Sequence, residues 1–366
     1  MNIAIIGTRG IPNHYGGFEQ FAEFLSKGLI KKSHRVTVYN SHNHPYRNST
    51  WKGVTIKHKY DPEYLIGTFG QFIYDLNCIL HTRKKQFDII LQLGYTSSSV
   101  WNFLFPKQTK IITNMDGLEW KRAKYSSPVK KFLRHAEKLA VNHSNFLVAD
   151  SLGIQSYLKE KYSADSCFIP YAASLFNSPN ISSLKALDLQ PNEYHLLIAR
   201  MEPENHIETI LDGSVLAKEK KIFLVIGNHQ TKYGNFLKNK YKEHSFIRFT
   251  GSIYDQTLLN NLRYFSNLYF HGHSVGGTNP SLLEAMASDA LICAHNNSFN
   301  ASILGNDSFY FDSAEDVKNI IENTRKDESQ KLKIKNNKKR IDEIYSWDKI
   351  IEAYENLFSS ALNKKQ

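Results

Sequence analysis

The sequence predicts an α/β protein built from two Rossmann-like domains, each a doubly wound parallel sheet, facing one another across a cleft. Three observations carry this expectation. β-Branched runs alternate with amphipathic segments along the chain, several strands are apolar throughout, and the series starts afresh past the midpoint. At 366 residues the chain exceeds one ordinary core and suits two. Its 41% hydrophobic, 13% aromatic and 22% charged residues are those of a folded globular protein, which excludes a disordered or fibrous chain.

Strands are expected at 2–6, 35–39, 54–58, 87–93, 109–113, 145–149 and 167–170, then at 195–199, 222–226, 246–250, 267–271 and 290–294. Amphipathic stretches at 18–30, 128–142, 206–219 and 279–287 read as helices between them. The run Phe87-Asp-Ile-Ile-Leu-Gln-Leu lacks alternation, as expected of a strand covered on both faces. Residues 172–193, with Ser174, Asn177, Ser178, Pro179, Asn180 and Pro191, read as a linker, and Tyr194-His-Leu-Leu-Ile-Ala opens a new buried strand. The expected domains are therefore 1–172 and 190–345, with a final helical segment at 346–366. No repeat at a solenoid period is present.

The net charge of +11 is unevenly placed. Residues 1–175 hold 23 of the 46 basic residues and 12 of the 35 acidic ones, whereas the remainder carries 23 of each. A basic first half suits an anionic partner: nucleic acid, an anionic membrane surface or a lipid diphosphate. It also suits a solubilising surface alone. Cys78, Cys167 and Cys293 are scattered without metal-ligand spacing and read as reduced thiols. Met1-Asn-Ile-Ala-Ile-Ile-Gly has neither a basic lead nor a cleavage site, and no window approaches 18 apolar residues. The expected location is cytoplasmic, or peripheral on the cytoplasmic face of the inner membrane.

Strand 2–6 runs into Gly7-Thr-Arg-Gly-Ile-Pro-Asn-His-Tyr-Gly16-Gly17-Phe-Glu19, with a helix beginning near Gly17. A glycine loop entering a helix puts free N–H groups and a positive dipole end at the sheet edge, where anions bind. The spacing is not G-x-G-x-x-G, and strand 35–39 ends in Asn40 rather than an acid, so a nicotinamide-dinucleotide clamp is not evident. In the second half, His271-Gly-His273-Ser-Val-Gly276-Gly277-Thr278-Asn279-Pro280-Ser-Leu-Leu-Glu284 follows an aromatic strand. Pro280 suits a first helical turn, capped by Asn279 or Thr278, which makes a second anion cradle. Glu284 lies one turn in on an otherwise apolar helix and needs a partner. Paired ribose hydroxyls would serve, and so would a purely local role complementing the helix dipole.

Four segments resemble retaining glycosyltransferases of family 4, which have the GT-B fold. They are Gly7-Thr-Arg-Gly-Ile-Pro…Tyr-Gly-Gly-Phe-Glu, Met115-Asp-Gly-Leu-Glu-Trp-Lys-Arg, Ala199-Arg-Met-Glu-Pro-Glu-Asn and His271-Gly-His…Ser-Leu-Leu-Glu. Within that family they are most similar to bacterial rhamnosyltransferases of cell-surface polysaccharide synthesis. The resemblance implies a nucleoside diphosphate sugar as substrate, with dTDP-β-L-rhamnose first and a UDP- or GDP-sugar as the alternative. It also implies transfer with retention, no cofactor, no metal, and a lipid-linked or oligosaccharide acceptor. The final helix, Trp347 to Phe358, should cross back onto the first domain. That first domain would hold the acceptor and the second the nucleotide.

The resemblance also implies a site. Glu284 would bind the donor ribose, Arg200 the diphosphate, and Gly16, Gly17, Gly276, Gly277, Thr278 and Asn279 the phosphates through their loops and helix starts, with Asp116, Arg200 and Glu284 as the catalytic residues. The donor's base would lie near Tyr254, and His273 would be a polar contact. Two positions depart from the family: its first Glu falls on Gly276, and its usual Lys is Asn205. Lys232 is a candidate replacement for that Lys. Asp116 would orient sugar hydroxyls or the acceptor, with Arg9, Glu19, Glu119, Lys121 and Arg122 as acceptor contacts. A solvated charge cluster explains Asp116 to Arg122 equally simply.

The pairs His42/His44 and His271/His273 each lack a third ligand nearby, and no Asp-x-Asp occurs, so no metal is implied. The basic helix around 128–138 suits a membrane or a lipid-linked acceptor. Two other classes remain as alternatives. A nucleic-acid-binding protein should show a recognition motif, and none is evident. A sugar-nucleotide epimerase would turn over the donor without an acceptor.

Overall fold

The computed structural model describes residues 1–122, 125–275 and 277–363. The chain forms two compact units: residues 1–171 with 347–366, and residues 172–346.

In the first unit β1 (Asn2–Ile6), α1 (Gly17–Lys31), β2 (Arg35–Ser41), β3 (Thr50–Trp51) and β4 (Val54–Lys59) are followed by α2 (Glu63–Ile66) and α3 (Phe69–Thr82). Then come β5 (Ile89–Leu93), β6 (Lys110–Asn114), α4 (Ser127–His143), β7 (Phe146–Ala149), α5 (Leu152–Tyr162) and β8 (Cys167–Phe168). The sheet order is β3-β4-β2-β1-β5-β6-β7-β8. All pairings are parallel except β3 with β4. β1, Asn-Ile-Ala-Ile-Ile, lies at the centre, and its Ile3, Ala4, Ile5 and Ile6 are wholly buried, as a strand covered on both faces requires.

In the second unit the chain runs β9 (Tyr194–Ile198), α6 (Ile207–Leu216), β10 (Ile222–Ile226), α7 (Lys232–Lys240), β11 (Ile247–Gly251), α8 (Gln256–Phe265) and β12 (Leu268–His271). It continues with α9 (Pro280–Ala287), β13 (Ile292–His295), α10 (Ser298–Leu304), β14 (Phe309–Phe311), α11 (Ala314–Asn323) and α12 (Lys331–Glu343). The order is β11-β10-β9-β12-β13-β14, parallel throughout. The turn-rich segment 172–193 is folded onto this unit. Residues Ile181–Leu187 form a tight helical turn, Leu184 and Leu189 are buried, and the Asn180 amide donates to Asn261 Oδ1 (2.6 Å).

α13 (Trp347–Asn363) belongs to the first unit. It buries Ile350, Ile351, Tyr354, Leu357, Phe358 and Ala361, and it packs on α1. Gly28 permits the close approach, because a Cβ there would lie 2.2 Å from Ile351 Cδ1. Trp347 stacks on Phe24 (4.4 Å between centroids), and Glu355 bridges Lys32 (2.6 Å) and His34 (2.8 Å).

One buried carboxylate of the first unit sits in a completed network. Glu137 on α4 accepts from Tyr162 (2.6 Å), Tyr157 (2.7 Å), Trp120 (3.1 Å), Lys161 (3.1 Å) and Tyr95 (3.2 Å). Five donors on one carboxylate offset the cost of keeping it 1% exposed.

Candidate functional site

In a doubly wound sheet the crevice lies where strand order reverses, beyond the carboxyl ends of the strands. In the second unit that point is between β9 and β12. The loops leaving these two strands carry most of the expected donor residues, and they touch. A Cβ on Gly272 would lie 1.9 Å from the Asn205 carbonyl oxygen, so only glycine fits. The Ser274 amide (3.1 Å) and hydroxyl (2.9 Å) both donate to the Glu204 carbonyl.

Arg200 is exposed just past β9, and its guanidinium has no ion pair among the described residues. Its carbonyl accepts from the Asn205 amide group (2.8 Å), so Asn205, where the resemblance led to the expectation of a Lys, is a backbone fastener of this loop. Lys232, exposed at the start of α7, shares a pocket of about 430 Å³ with Met201, Glu202, Thr231, Tyr233 and Phe236. That places it beside the Arg200 turn. Tyr254 is 78% exposed on the loop after β11.

Asn279 caps α9 by accepting from the Ser281 amide (2.9 Å), with Pro280 in the first turn and Thr278 buried beside it. Gly277 precedes them, and Gly276 lies outside the described residues. His271 is buried with neither ring nitrogen hydrogen-bonded. It stacks on His273 (4.4 Å), and burial together with that neighbour holds it well below the usual imidazole range, hence neutral.

Glu284, expected to need a partner, has one within the chain. Arg263 of α8, 1% exposed, reaches it at 2.5 Å and also donates to Asn260 (3.0 Å). Leu259 and Arg263 are four residues apart and share the buried face of α8. An arginine on an apolar helix face was the available sequence signal. Glu284 is thus oriented by Arg263, with 14% of its side chain exposed.

In the first unit the reversal lies between β1 and β5. Gly7, at φ +82°, follows β1, and a Cβ there would sit 2.2 Å from the Leu93 carbonyl at the end of β5. Gly16 precedes Gly17 at the N-cap of α1, and no side-chain cap closes this helix start. Of the five expected acceptor residues, four are held by hydrogen bonds within the chain. Glu19 is buried and accepts from the Arg9 amide (2.8 Å) and Thr8 (3.1 Å), which fixes the glycine loop. Arg9 makes a two-pronged pair with Glu63 (2.7 and 3.0 Å) and lies 3.9 Å from the Tyr15 ring centre. Arg122 pairs with Glu119 (2.5 Å), which leaves Lys121 as the exposed cation of that turn.

Asp116 follows β6 at φ +50°, a costly conformation for a non-glycine residue. The Asn114 side chain stabilises it by accepting the Asp116 amide (3.0 Å) and donating to Tyr354 of α13 (3.1 Å). Among the described residues no group of three or more His, Cys, Asp or Glu is arranged to hold a metal.

Two parallel α/β units with these switch points define the GT-B fold class, and comparison with solved structures agrees. Sucrose-phosphate synthase from Thermosynechococcus elongatus superposes with a TM-score of 0.78 at 15% identity, covering 98% of this chain and 99% of that one. HepE from Anabaena, in complex with UDP and glucose, gives 0.77 at 14% identity over 98% and 99%. The catalytic domain of starch synthase IV from Arabidopsis thaliana, bound to ADP and acarbose, gives 0.73 at 14% over 99% of each chain. Residues 1–174 match the family described as a domain of unknown function, DUF1972. No curated protein sequence matches the chain.

Proposed function

We propose that this protein is a glycosyltransferase whose second unit binds a nucleoside diphosphate sugar and whose first unit receives the acceptor. The observation that carries this reading is the β9/β12 switch point. It combines an exposed, unpaired Arg200, a proline-started helix and a half-buried Glu284 held by Arg263. Arg200 would meet the diphosphate, the amides at the start of α9 would share its charge, and Glu284 would take the ribose hydroxyls. The nucleotides and sugars found with HepE and starch synthase IV support the same class of ligand.

The finer reading is rhamnosyl transfer from dTDP-β-L-rhamnose with retention and without metal, for surface polysaccharide synthesis. The acceptor hydroxyl would attack the anomeric carbon from the face that the diphosphate leaves. The C–O bond to phosphate breaks as the new one forms, and the proton passes to the leaving phosphate oxygen. Asp116, held in its strained turn, would orient the acceptor.

A lipid-linked acceptor is supported by the surface of α2, α3 and α4. Leu65, Ile66, Phe69 and Ile73 are exposed, and Phe72 joins them to the exposed Phe132 of α4 (5.7 Å). Lys130, Lys131 and Arg134 lie on the same helix as Phe132, a mixture that suits an anionic interface. No helix among the described residues is long and apolar enough to cross a membrane.

The test is calorimetric titration of dTDP, UDP, GDP and their sugar conjugates, without metal, on wild type and Glu284→Ala. Selective dTDP-rhamnose binding that the substitution abolishes supports the full reading. UDP or GDP selectivity keeps the transferase and removes rhamnose. A folded wild type that binds no nucleotide overturns it.

A further inference from the structure

Glu204 lies in the short helical turn Pro203–Asn205 after β9, and its backbone is bonded to the loop after β12. Both of its carboxylate oxygens are shielded from solvent, and neither has a hydrogen-bond partner. A carboxylate in that condition is destabilised unless something donates to it. His271, at the start of the adjoining loop, is held neutral by burial and supplies no counter-charge. That loop also carries Gly276, where the family resemblance places a glutamate that this chain lacks.

Building on the donor site proposed above, we propose that Glu204 is a sugar-binding residue. Its two oxygens would accept hydrogen bonds from adjacent hydroxyls of the sugar attached to the nucleotide. A pair of neighbouring hydroxyls offers two donors at the spacing of the two acceptors of one carboxylate. A metal ion fits less well, because Glu204 belongs to no group of three or more His, Cys, Asp or Glu arranged to hold one among the described residues. Recognition would thus be divided: Glu284 reads the ribose from the helix, and Glu204 reads the transferred sugar from the β9 loop.

The experiment compares wild type with Glu204→Gln, an isosteric change that removes the charge. Affinities for dTDP and UDP are measured beside those for dTDP-L-rhamnose and UDP-glucose, and the melting temperature is recorded without ligand. The expected result is a loss of about tenfold or more for the sugar conjugate that wild type prefers. The matching diphosphate should bind unchanged, and the unliganded protein should melt no lower. Equal binding of the conjugate by both proteins overturns the proposal. A parallel loss for the bare diphosphate, or a melting temperature lowered by several degrees, also overturns it, because Glu204 would then serve the nucleotide or the fold. A wild type that binds neither diphosphates nor conjugates overturns the donor site itself, and this assignment with it.

Discussion

Glu137 in the first unit and Glu204 in the second both withdraw their carboxylate oxygens from water, in opposite surroundings. Glu137 accepts from three tyrosines, a tryptophan and a lysine. Glu204 accepts from nothing. The contrast extends to neighbours: Glu19 and Glu63 are engaged with the loop they hold, whereas Arg200 is left unpaired at the second unit's switch point. The charge of Glu137 is completed within the fold, whereas on the assignment proposed above that of Glu204 is left for a ligand to complete. A glutamate's identity and burial therefore do not distinguish the two uses. The supply of donors around it does.

The strongest way to break this comparison is Glu137→Leu. Five donors would lose their acceptor, and the expected cost is about 3–5 kcal/mol, read as a clear fall in urea midpoint or melting temperature. A variant that melts like wild type would show that Glu137 is no scaffold. Next is the Arg263–Glu284 pair. Arg263→Met should cost about 2–4 kcal/mol, because Glu284 is left without its buried cation. Adding Glu284→Gln should recover part of that loss. Additive effects in the double variant would mean that the two residues are independent.

Asp75 of α3 sharpens the same point through pH. Burial pushes its carboxyl up to about 7, and its hydrogen bond from Ser97 (2.5 Å) only partly opposes this. The folded chain keeps a proton that the unfolded chain releases near pH 4. The stability that Asp75 provides is therefore full below about pH 4 and lost as pH rises towards 7. Asp75→Asn should flatten this loss and exceed wild type in stability at pH 8 but not at pH 4. Parallel denaturation curves for the two proteins at both pH values would contradict it. The smallest expected effect on folding is Phe69→Ser. The side chain is 74% exposed, so stability should shift by no more than about 0.5 kcal/mol, while flotation with anionic vesicles should fall. Unchanged flotation would detach the apolar surface from the membrane.

Strands were legible in the sequence where burial on both faces made them continuously apolar. β1 and β10 begin and end at the expected residues, and the helix after the glycine loop begins at Gly17. β3 and β14, of two and three residues, carry too short a pattern to register. α3 was not anticipated, because its exposed Phe69 and Ile73 blur the apolar face that a buried helix would show. Within the site, Arg200, Asn279 and Glu284 could be named because a strand end, a cap and a lone carboxylate one turn into an apolar helix have local signatures. Glu204 could not. Its seclusion depends on contact between the turn at 203–205 and residues 272–274, which no spacing in the sequence records.

The return of α13 to the first unit has a consequence for how the protein is made. During synthesis residues 1–171 emerge first, yet the apolar surface of α1 that Ile351 and Tyr354 cover must wait until the intervening residues 172–346 have been translated. At about 5–20 residues per second that delay is on the order of ten seconds or more. The second unit is continuous, so it can finish folding while the first is still open. Residues 1–174, the portion that matches a family model, thus leave the α1 surface uncovered until α13 arrives.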